Sequence, residues 1–421
     1  MTSTTPVPNV DCESAAAKLL SVTSALERIR VTLQPVTGFE TIFLRNALGR
    51  VLFDDLLSPI DVPNYRNSAM DGYAITFADL QASGETSFRV VGTAFAGQPF
   101  AGHLAAGDTV RIMTGAVVPE GADTVVIQEQ TVRDGDQVRI AATHRKGDNV
   151  RGIGDDIARH SRVLPKGRRL TPADLGLLAS LGIAEVRVRR KLRVAFFSTG
   201  DELCSLGQPL GAGQIYDSNR YTLHGMLTRL GVEIIDMGVI PDRREAVAEA
   251  FQSASAIADV LITSGGVSVG EADFVKETLD ALGQVNFWKI AMKPGKPLAF
   301  GKVNQAIFFG LPGNPVSAMA TFYQLVQPAL RQLMGENDLL PLTLKIPCAS
   351  PLKKSPGRQD FQRGILERNA SGALTVRTTG AQGSHILSSM SHANCFIILP
   401  AEWGNVEAGT LVEVQPFEGL I

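Results

Sequence analysis

Apolar positions along this chain change their spacing at several places, and each change predicts a change of element. From residue 11 to about residue 30, Ala15, Leu19, Leu20, Val22, Leu26 and Ile29 fall near helical spacing. TGFETIFLRNALGRVL (37–52) reads as a second helix closed by Gly49, and residues 58–75 turn irregular through two prolines. From about Asn67 to Val150 the period shortens to two. FRVVGTA, DTVRIM, DTVVIQ and QVRIAA are separated by Gly, Asp and Pro turns, as expected of short strands. TPADLGLLASLG (171–182) is a short helix, with Thr171 as N-cap, Pro172 at the first position and Gly182 as the stop.

The pattern changes again at Lys191. LRVAFFS, VEIIDMGVI and DVLITS are strand-like runs separated by helical spacing at 218–230 and 243–256. Such alternation predicts a parallel sheet covered by helices on both faces. Val275, Leu279 and Leu282 predict a further helix ending at Gly283, and Pro328 predicts a kink or break in a helix over 315–334. From Pro341 onward LTLKIP, ALTVRTT, CFIILP and LVEVQP return to β spacing and suggest a small barrel or sandwich. The predicted fold class is α/β plus β in several domains. Residues 1–10 are a disordered N-terminus, and 11–66 with 151–190 form a helical, linking domain. Residues 67–150 form a small, mostly β inserted domain. Residues 191–336 form a central parallel-sheet α/β domain, and 341–421 a C-terminal β-barrel-like domain.

Composition narrows the classes of function. At 421 residues the chain exceeds one ordinary core. Hydrophobic content of 44% and charged content of 19% suit a globular protein. Forty basic against 42 acidic residues leave a net charge of −2, so no global field favours nucleic acid or an anionic membrane. The four cysteines (Cys12, Cys204, Cys348, Cys395) lie far apart with no zinc spacing, which predicts free thiols in a reducing compartment. No apolar run approaches membrane-spanning length and the N-terminus lacks signal-peptide character, so the expected location is cytoplasmic.

Candidate chemistry concentrates between Val260 and Ala318. Gly265–Gly266 interrupts a strand before a helix start, a place where free backbone N–H groups suit phosphate or another oxyanion. Lys289, Lys293 and Lys296 follow, with Lys289 and Lys293 on one side of an extended segment. The loop Pro312, Gly313, Asn314, Pro315 opens another helix, with Asn314 as N-cap. Three acids fall near strand ends: Glu202, Asp242 and Asp273. Each also has a purely structural reading. Glu202 can be a solvated loop acid. Asp242 can be an N-cap, with Glu245 completing a capping box. Asp273 can complement a helix dipole. Carboxylates gathered beside anion loops would repel an anionic ligand unless a divalent cation intervened, and hard oxygen donors near phosphate point to Mg²⁺. His385 and His392 lack a third soft ligand and read as structural or surface residues. No Walker motif occurs.

SGGVSVGEAD, KPGKP and LPGNPVSA, together with NSAMDGYA, RIMTGAVVPEGAD, GDDI, STGDEL and IYDSN, make the chain similar to the molybdopterin molybdenumtransferase family, of which MoeA and the gephyrin E domain are members. The match spans nearly the whole chain; Asp155 stands where Glu is more usual before Asp156. The resemblance implies a MoaB/Mog-like central domain. It also implies insertion of molybdate into adenylylated molybdopterin, with Mg²⁺-dependent release of AMP. It places Glu202, Asp242, Asp273, Asp71 and Asp156 in catalysis, the first three also as metal ligands. It places Thr114, Ser218, Ser264, Gly265, Gly266, Ser268, Lys289, Lys293, Lys296, Pro312, Gly313, Asn314, Pro315, Arg358 and Ser384 against substrate or molybdate. It further implies a homodimer with a site shared between subunits, and contacts with an adenylylating Mog-like protein and with cofactor-accepting molybdoenzymes. Two alternatives stay open: a non-catalytic molybdopterin-binding scaffold, and a nucleotide pyrophosphatase on the same sheet.

Overall fold

The computed structural model describes residues 19–265 and 274–417, and it divides into two compact units. Unit 2 comprises Thr41–Leu48 and Leu52–Arg187, and unit 1 the remainder. The expectations for residues 1–18, and for Gly266, Ser268 and Asp273, lie outside the described residues.

Unit 2 is built on a six-stranded sheet. Its order is Thr124–Ile127, Gly72–Ile75, Asp108–Ile112, Glu85–Ala94, Gln137–Ala141, Thr131–Asp134. Apolar residues fill both of its faces, Val110 and Val125 on one and Phe88 and Val126 on the other. The helix Pro172–Ser180 starts as its sequence predicts. Thr171 and Asp174 form a reciprocal capping box, with Pro172 in the first turn. The second helix expected over 37–52 is not formed. Phe39–Phe43 is a strand with alternating exposure, followed by a single short turn at Leu44–Asn46. Aromatic and β-branched residues dominate FETIF, and on a half-exposed strip they favour the pleated backbone over a helix.

Unit 1 contains helix α1 (Val22–Thr32), which begins at the Ser21 cap; Leu20, just before it, bridges Ile290. Its elements then run β1 (Arg193–Thr199), α2 (Ser218–Leu230), β2 (Glu233–Ile240), α3 (Arg244–Ile257), β3 (Val260–Ser264) and α4 (Phe274–Leu282). There follow β4 (Gly283–Lys289), β5 (Met292–Lys293), β6 (Pro297–Val303) and β7 (Ala306–Leu311). The main sheet has the order β2–β1–β3–β7–β6–β4. β2, β1, β3 and β7 are parallel, whereas β6 and β4 are antiparallel to their neighbours, so the sheet is mixed rather than wholly parallel. The reason is local. β6 and β7 are joined only by Asn304 and Gln305, too few residues for a crossover, and Asn304 takes the φ of +51° that such a turn needs.

Alternate side chains of β1 and β3 fill the two faces. Phe196 and Ile262 enter the larger core with α1 and α2, while Phe197 and Leu261 pack under α3 with Phe251 and Phe308. Phe251 meets Phe197 and Phe308 edge-on at 5.2 and 5.5 Å. Below the sheet, Asp259 joins Arg190 through two hydrogen bonds (2.7 and 2.8 Å) and accepts the Arg193 N–H.

The helix expected to break at Pro328 does so. Residues 315–321 (α5) are α-helical, Phe322–Val326 form a π turn, and α6 (Gln327–Met334) resumes with Pro328 in its first turn. Widening the turn accommodates a ring that cannot donate a backbone hydrogen bond.

The last part of the chain supplies β8 (Leu344–Pro347), β9 (Gln359–Arg368), β10 (Leu374–Thr378), α7 (Leu387–His392), β11 (Cys395–Leu399) and β12 (Leu411–Pro416). The sheet order is β5–β9–β11–β12–β8, with β10 on β9. A bridge from Cys348 to Val376 links the end of β8 back to β10, so the sheet closes into a barrel around Ile346, Val376, Ile397 and Val414. Cys204, Cys348 and Cys395 are buried free thiols, and burial pushes the Cys395 thiol up to about 12. Among the described residues no helix is long and apolar enough to cross a membrane.

Candidate functional site

The parallel strands end together, and the segment after each of them is short, Gly- or Pro-rich and polar. Thr199–Gly200 leads from β1 to Glu202, and Pro241–Asp242 comes after β2. Gly265 comes after β3, and Pro312–Asn314 after β7. Helix α2 joins β1 to β2 on one face and α3 joins β2 to β3 on the other, so the strand order reverses at β1 and opens a crevice at the carboxyl ends. The loop 293–297 and two barrel segments, around Arg358 and around Gln382–His385, enclose the opposite wall. The resulting cleft has a volume of about 1170 Å³.

Glycine is required at one point of this floor. Gly265 has φ +90°, and a Cβ built there would stand 2.7 Å from the Thr199 carbonyl oxygen. Gly313, by contrast, has no positive φ and nothing within 4 Å of the same position. We expect Gly265→Ala to lose roughly 1–3 kcal/mol in chemical unfolding, and Gly313→Ala to lose little. Equal stability of the two variants would contradict the close approach of β1 and the loop after β3.

Asn219, on the first turn of α2, ties three of these segments together. Its Nδ2 donates to Ser264 Oγ and to the Gly313 carbonyl, both at 2.7 Å. Asp217 caps the same helix by accepting the Arg220 N–H. Asp217 Oδ2 and Asn219 Oδ1 are buried without a partner among the described residues. Both residues belong to the IYDSN motif, in which the sequence resemblance singles out only Ser218.

The acidic wall is formed by Glu202 and Asp242, with Asp201 beside them. The structure overturns the helix-cap reading of Asp242. The N-cap of α3 is Arg243, with no side-chain cap, and the Arg243 N–H turns back to the Pro241 carbonyl at 2.7 Å. That turn moves the helix start one residue on and leaves the Asp242 carboxylate free of capping. Its backbone N–H donates to Asp201 at 3.2 Å. Burial, and then the neighbouring Asp201 and Glu202 charges, raise the Asp242 carboxyl above its usual range.

The basic wall carries Lys293, Lys296 and Arg358. Lys293 stands 3.8 Å from the buried carboxylate of Asp360. Lys296 and Arg358 form no ion pair among the described residues. Lys289 does not join them. The extended segment splits after β4, and Ile290 and Met292 turn into the core while β5 pairs with β9. Lys289 therefore stays outside the cleft, its carbonyl accepting the Leu20 N–H at 2.9 Å.

Of the other expected site residues, Ser218, Ser264, Gly265, Pro312, Gly313, Asn314, Pro315 and Ser384 line the cleft. Asn314 occupies the N-cap of α5, but its side chain makes no capping bond. His385, expected to be structural or on the surface, also lines the cleft, as do Gln382 and Gly383. Asp71, Thr114 and Asp156 belong to unit 2. There the Thr114 N–H and hydroxyl donate to Asp71, both at 2.7 Å, and hold its carboxyl below its usual range. Asp156 is exposed. Among the described residues no three His, Cys, Asp or Glu side chains stand together as a metal cluster.

Residues 20–182 match the MoeA N-terminal region (domain I and II), residues 195–332 a probable molybdopterin binding domain, and residues 345–417 the MoeA C-terminal region (domain IV). The chain is 48% identical to the molybdopterin molybdenumtransferase of Haemophilus influenzae, over 96% of this chain and the whole of that one. It is 34% identical to gephyrin of Dictyostelium discoideum, over 93% of this chain and 62% of that protein. In structure it is similar to the molybdopterin biosynthesis MoeA protein of Pyrococcus horikoshii, with a TM-score of 0.83 and 27% identity. That match covers 95% of this chain and all of the other.

Proposed function

Because the chain belongs to the molybdopterin molybdenumtransferase family, we propose that its cleft inserts molybdate into adenylylated molybdopterin and releases AMP. The observation that carries this reading is the cleft's division into an acidic and a basic wall over a floor of strand-end loops. A volume of about 1170 Å³ accommodates a ligand as large as a pterin joined to a nucleotide.

Each wall then has its task. The N–H groups at the start of α2 hold phosphate oxygens, whereas at α5 Pro315 has no N–H and the Val316 N–H is taken by the Ser384 carbonyl. Lys293, Lys296 and Arg358 offset the charge of molybdate and of the substrate anhydride. Ser264 and Asn219 keep the floor in register. Glu202 and Asp242 fit Mg²⁺ as hard oxygen donors, in a place where burial and then the Asp201 and Glu202 charges raise the Asp242 carboxyl; Asp273 is the third proposed ligand. When bound, the ion neutralises charge on the phosphate being released. Catalysis by these residues is positioning and charge stabilisation rather than covalent chemistry.

The test is the product. Incubated with adenylylated molybdopterin and molybdate, the protein should yield a cofactor that activates a molybdenum-free molybdoenzyme. A nucleotide pyrophosphatase would release AMP and leave metal-free molybdopterin. A scaffold would leave the substrate intact.

The same reading makes the protein a cytoplasmic homodimer that receives its substrate from a Mog-like adenylylating protein and passes the product to molybdoenzymes. Asp71 then serves the site of the other subunit, supported by the family resemblance of SAMDGYA. Mixing Asp71→Ala with Asp273→Ala subunits should restore one working site per heterodimer. No recovery in an isolated heterodimer would refute the shared site.

A further inference from the structure

A buried cation with no counter-ion among the described residues lies directly behind the wall of the cleft. Arg363, on β9, is 1% exposed and is the largest fully buried side chain described. Its Nε donates to Ser389 Oγ at 2.9 Å, and its Nη2 to the carbonyls of Ala381 and Gly383 at 3.2 and 3.0 Å. No carboxylate pairs with it among the described residues. Burial lowers its pKa to about 10, so the guanidinium remains charged near neutral pH.

The segment it grips is the part of the barrel that faces the cleft, Gln382 to His385. Gln382 is clamped from the same residue: its Oε1 accepts the Arg363 N–H at 2.8 Å, and its Nε2 donates to the Arg363 carbonyl at 3.1 Å. On the far side the Ser384 carbonyl accepts the Val316 N–H at 3.2 Å, which fixes the loop to the first turn of α5. Tethering alone does not call for a charge. Neutral donors satisfy carbonyls as well, and an unpaired buried cation is strongly destabilising in ordinary settings. Such a charge is compensated when an anion occupies the cleft on the other side of the loop.

We propose that Arg363 is a positioning residue whose buried charge sets the affinity of the Arg358 and Ser384 wall for a tetrahedral oxyanion. The inference rests on the molybdate-binding reading of the cleft and adds a residue that does not itself touch the ligand. A unit charge roughly 10 Å from an anion, at an effective dielectric of about 20, changes affinity on the order of tenfold. Because the guanidinium is buried, salt screens it less than it screens Lys296 or Arg358.

The experiment is calorimetric titration of molybdate alone into the full-length protein, with a thermal melt of each variant. Arg363→Gln should bind about tenfold more weakly than the wild type, and the ratio should persist at high salt. Arg363→Lys, which keeps the charge and loses the fork, should stay within about threefold of the wild type. Ser389→Ala, which keeps the charge and loses one hydrogen bond, should bind as the wild type does. Arg363→Gln binding at wild-type strength overturns the proposal. So does Arg363→Lys or Ser389→Ala binding about tenfold more weakly, because the loop geometry rather than the charge would then matter. If Arg363→Gln does not fold, Arg363→Met replaces it as the charge-removing variant, and wild-type affinity in that protein overturns the proposal. A wild type that binds no molybdate overturns the functional reading itself, a result distinguishable from equal binding by all variants.

Discussion

Asp242→Ser is expected to fold with unchanged or slightly raised thermal stability and to lose AMP release by about 100-fold or more. The stability half comes from the helix start. Arg243 occupies the N-cap of α3 without a side-chain bond, so removing the Asp242 carboxylate removes no cap. It also removes a carboxyl whose ionisation is disfavoured by burial and then by the Asp201 and Glu202 charges, which relieves that cost in the folded state. The activity half comes from the same crowding. In the proposed reading Asp242 and Glu202 offer carboxylate oxygens to a divalent cation, and serine cannot replace the charge. Raising Mg²⁺ should therefore recover part of the lost rate. A stable Asp242→Ser protein with full activity at the usual Mg²⁺ concentration would show that this acid has no part in the reaction.

Replacing both Lys296 and Arg358 by Met is the second substitution with a large effect. The two side chains line the basic wall without an acid partner among the described residues, so their charge is available to a ligand. Each charge-assisted contact to an oxyanion is worth roughly 1.5–3 kcal/mol, so losing both should weaken molybdate binding by about 100-fold or more. The fold should be spared: Lys296 is exposed and Arg358 half-buried. Lys293→Met should behave differently and also destabilise, since it strips the buried Asp360 of its ion pair. Molybdate titration with parallel melts separates the two cases, and wild-type affinity in the double variant would rule out the basic wall as the molybdate site.

Much of the fold is legible in the sequence because the relevant physics is local. Capping at Thr171, the stop before Gly283 and the interruption near Pro328 depend on residues within a turn of each other, and each occurs as expected. FETIF misleads because five residues cannot separate a period of 3.6 from one of two, and pairing across the fold decides such cases. Asp242 misleads by one residue: PDRRE offers two starts for α3, and the turn from Arg243 to Pro241 selects the later one. Lys289 misleads because a lysine's side of a strand says nothing about which sheet that strand joins. The segment after β4 leaves the main sheet, and only Lys293 goes with it to the cleft. His385 and Arg363 are hidden for a deeper reason. Their positions depend on the barrel closing beside the α/β sheet, and no spacing in the sequence reports that approach.

The insertase reading stands or falls on whether hydrolysis of the substrate anhydride is coupled to molybdate. The decisive measurement is the rate of AMP release from adenylylated molybdopterin by the purified protein in Mg²⁺, with and without molybdate. Release that is negligible alone and rises to one AMP per molybdenum inserted is the predicted result. Release at the same rate without molybdate would contradict it and identify the cleft as that of a pyrophosphatase.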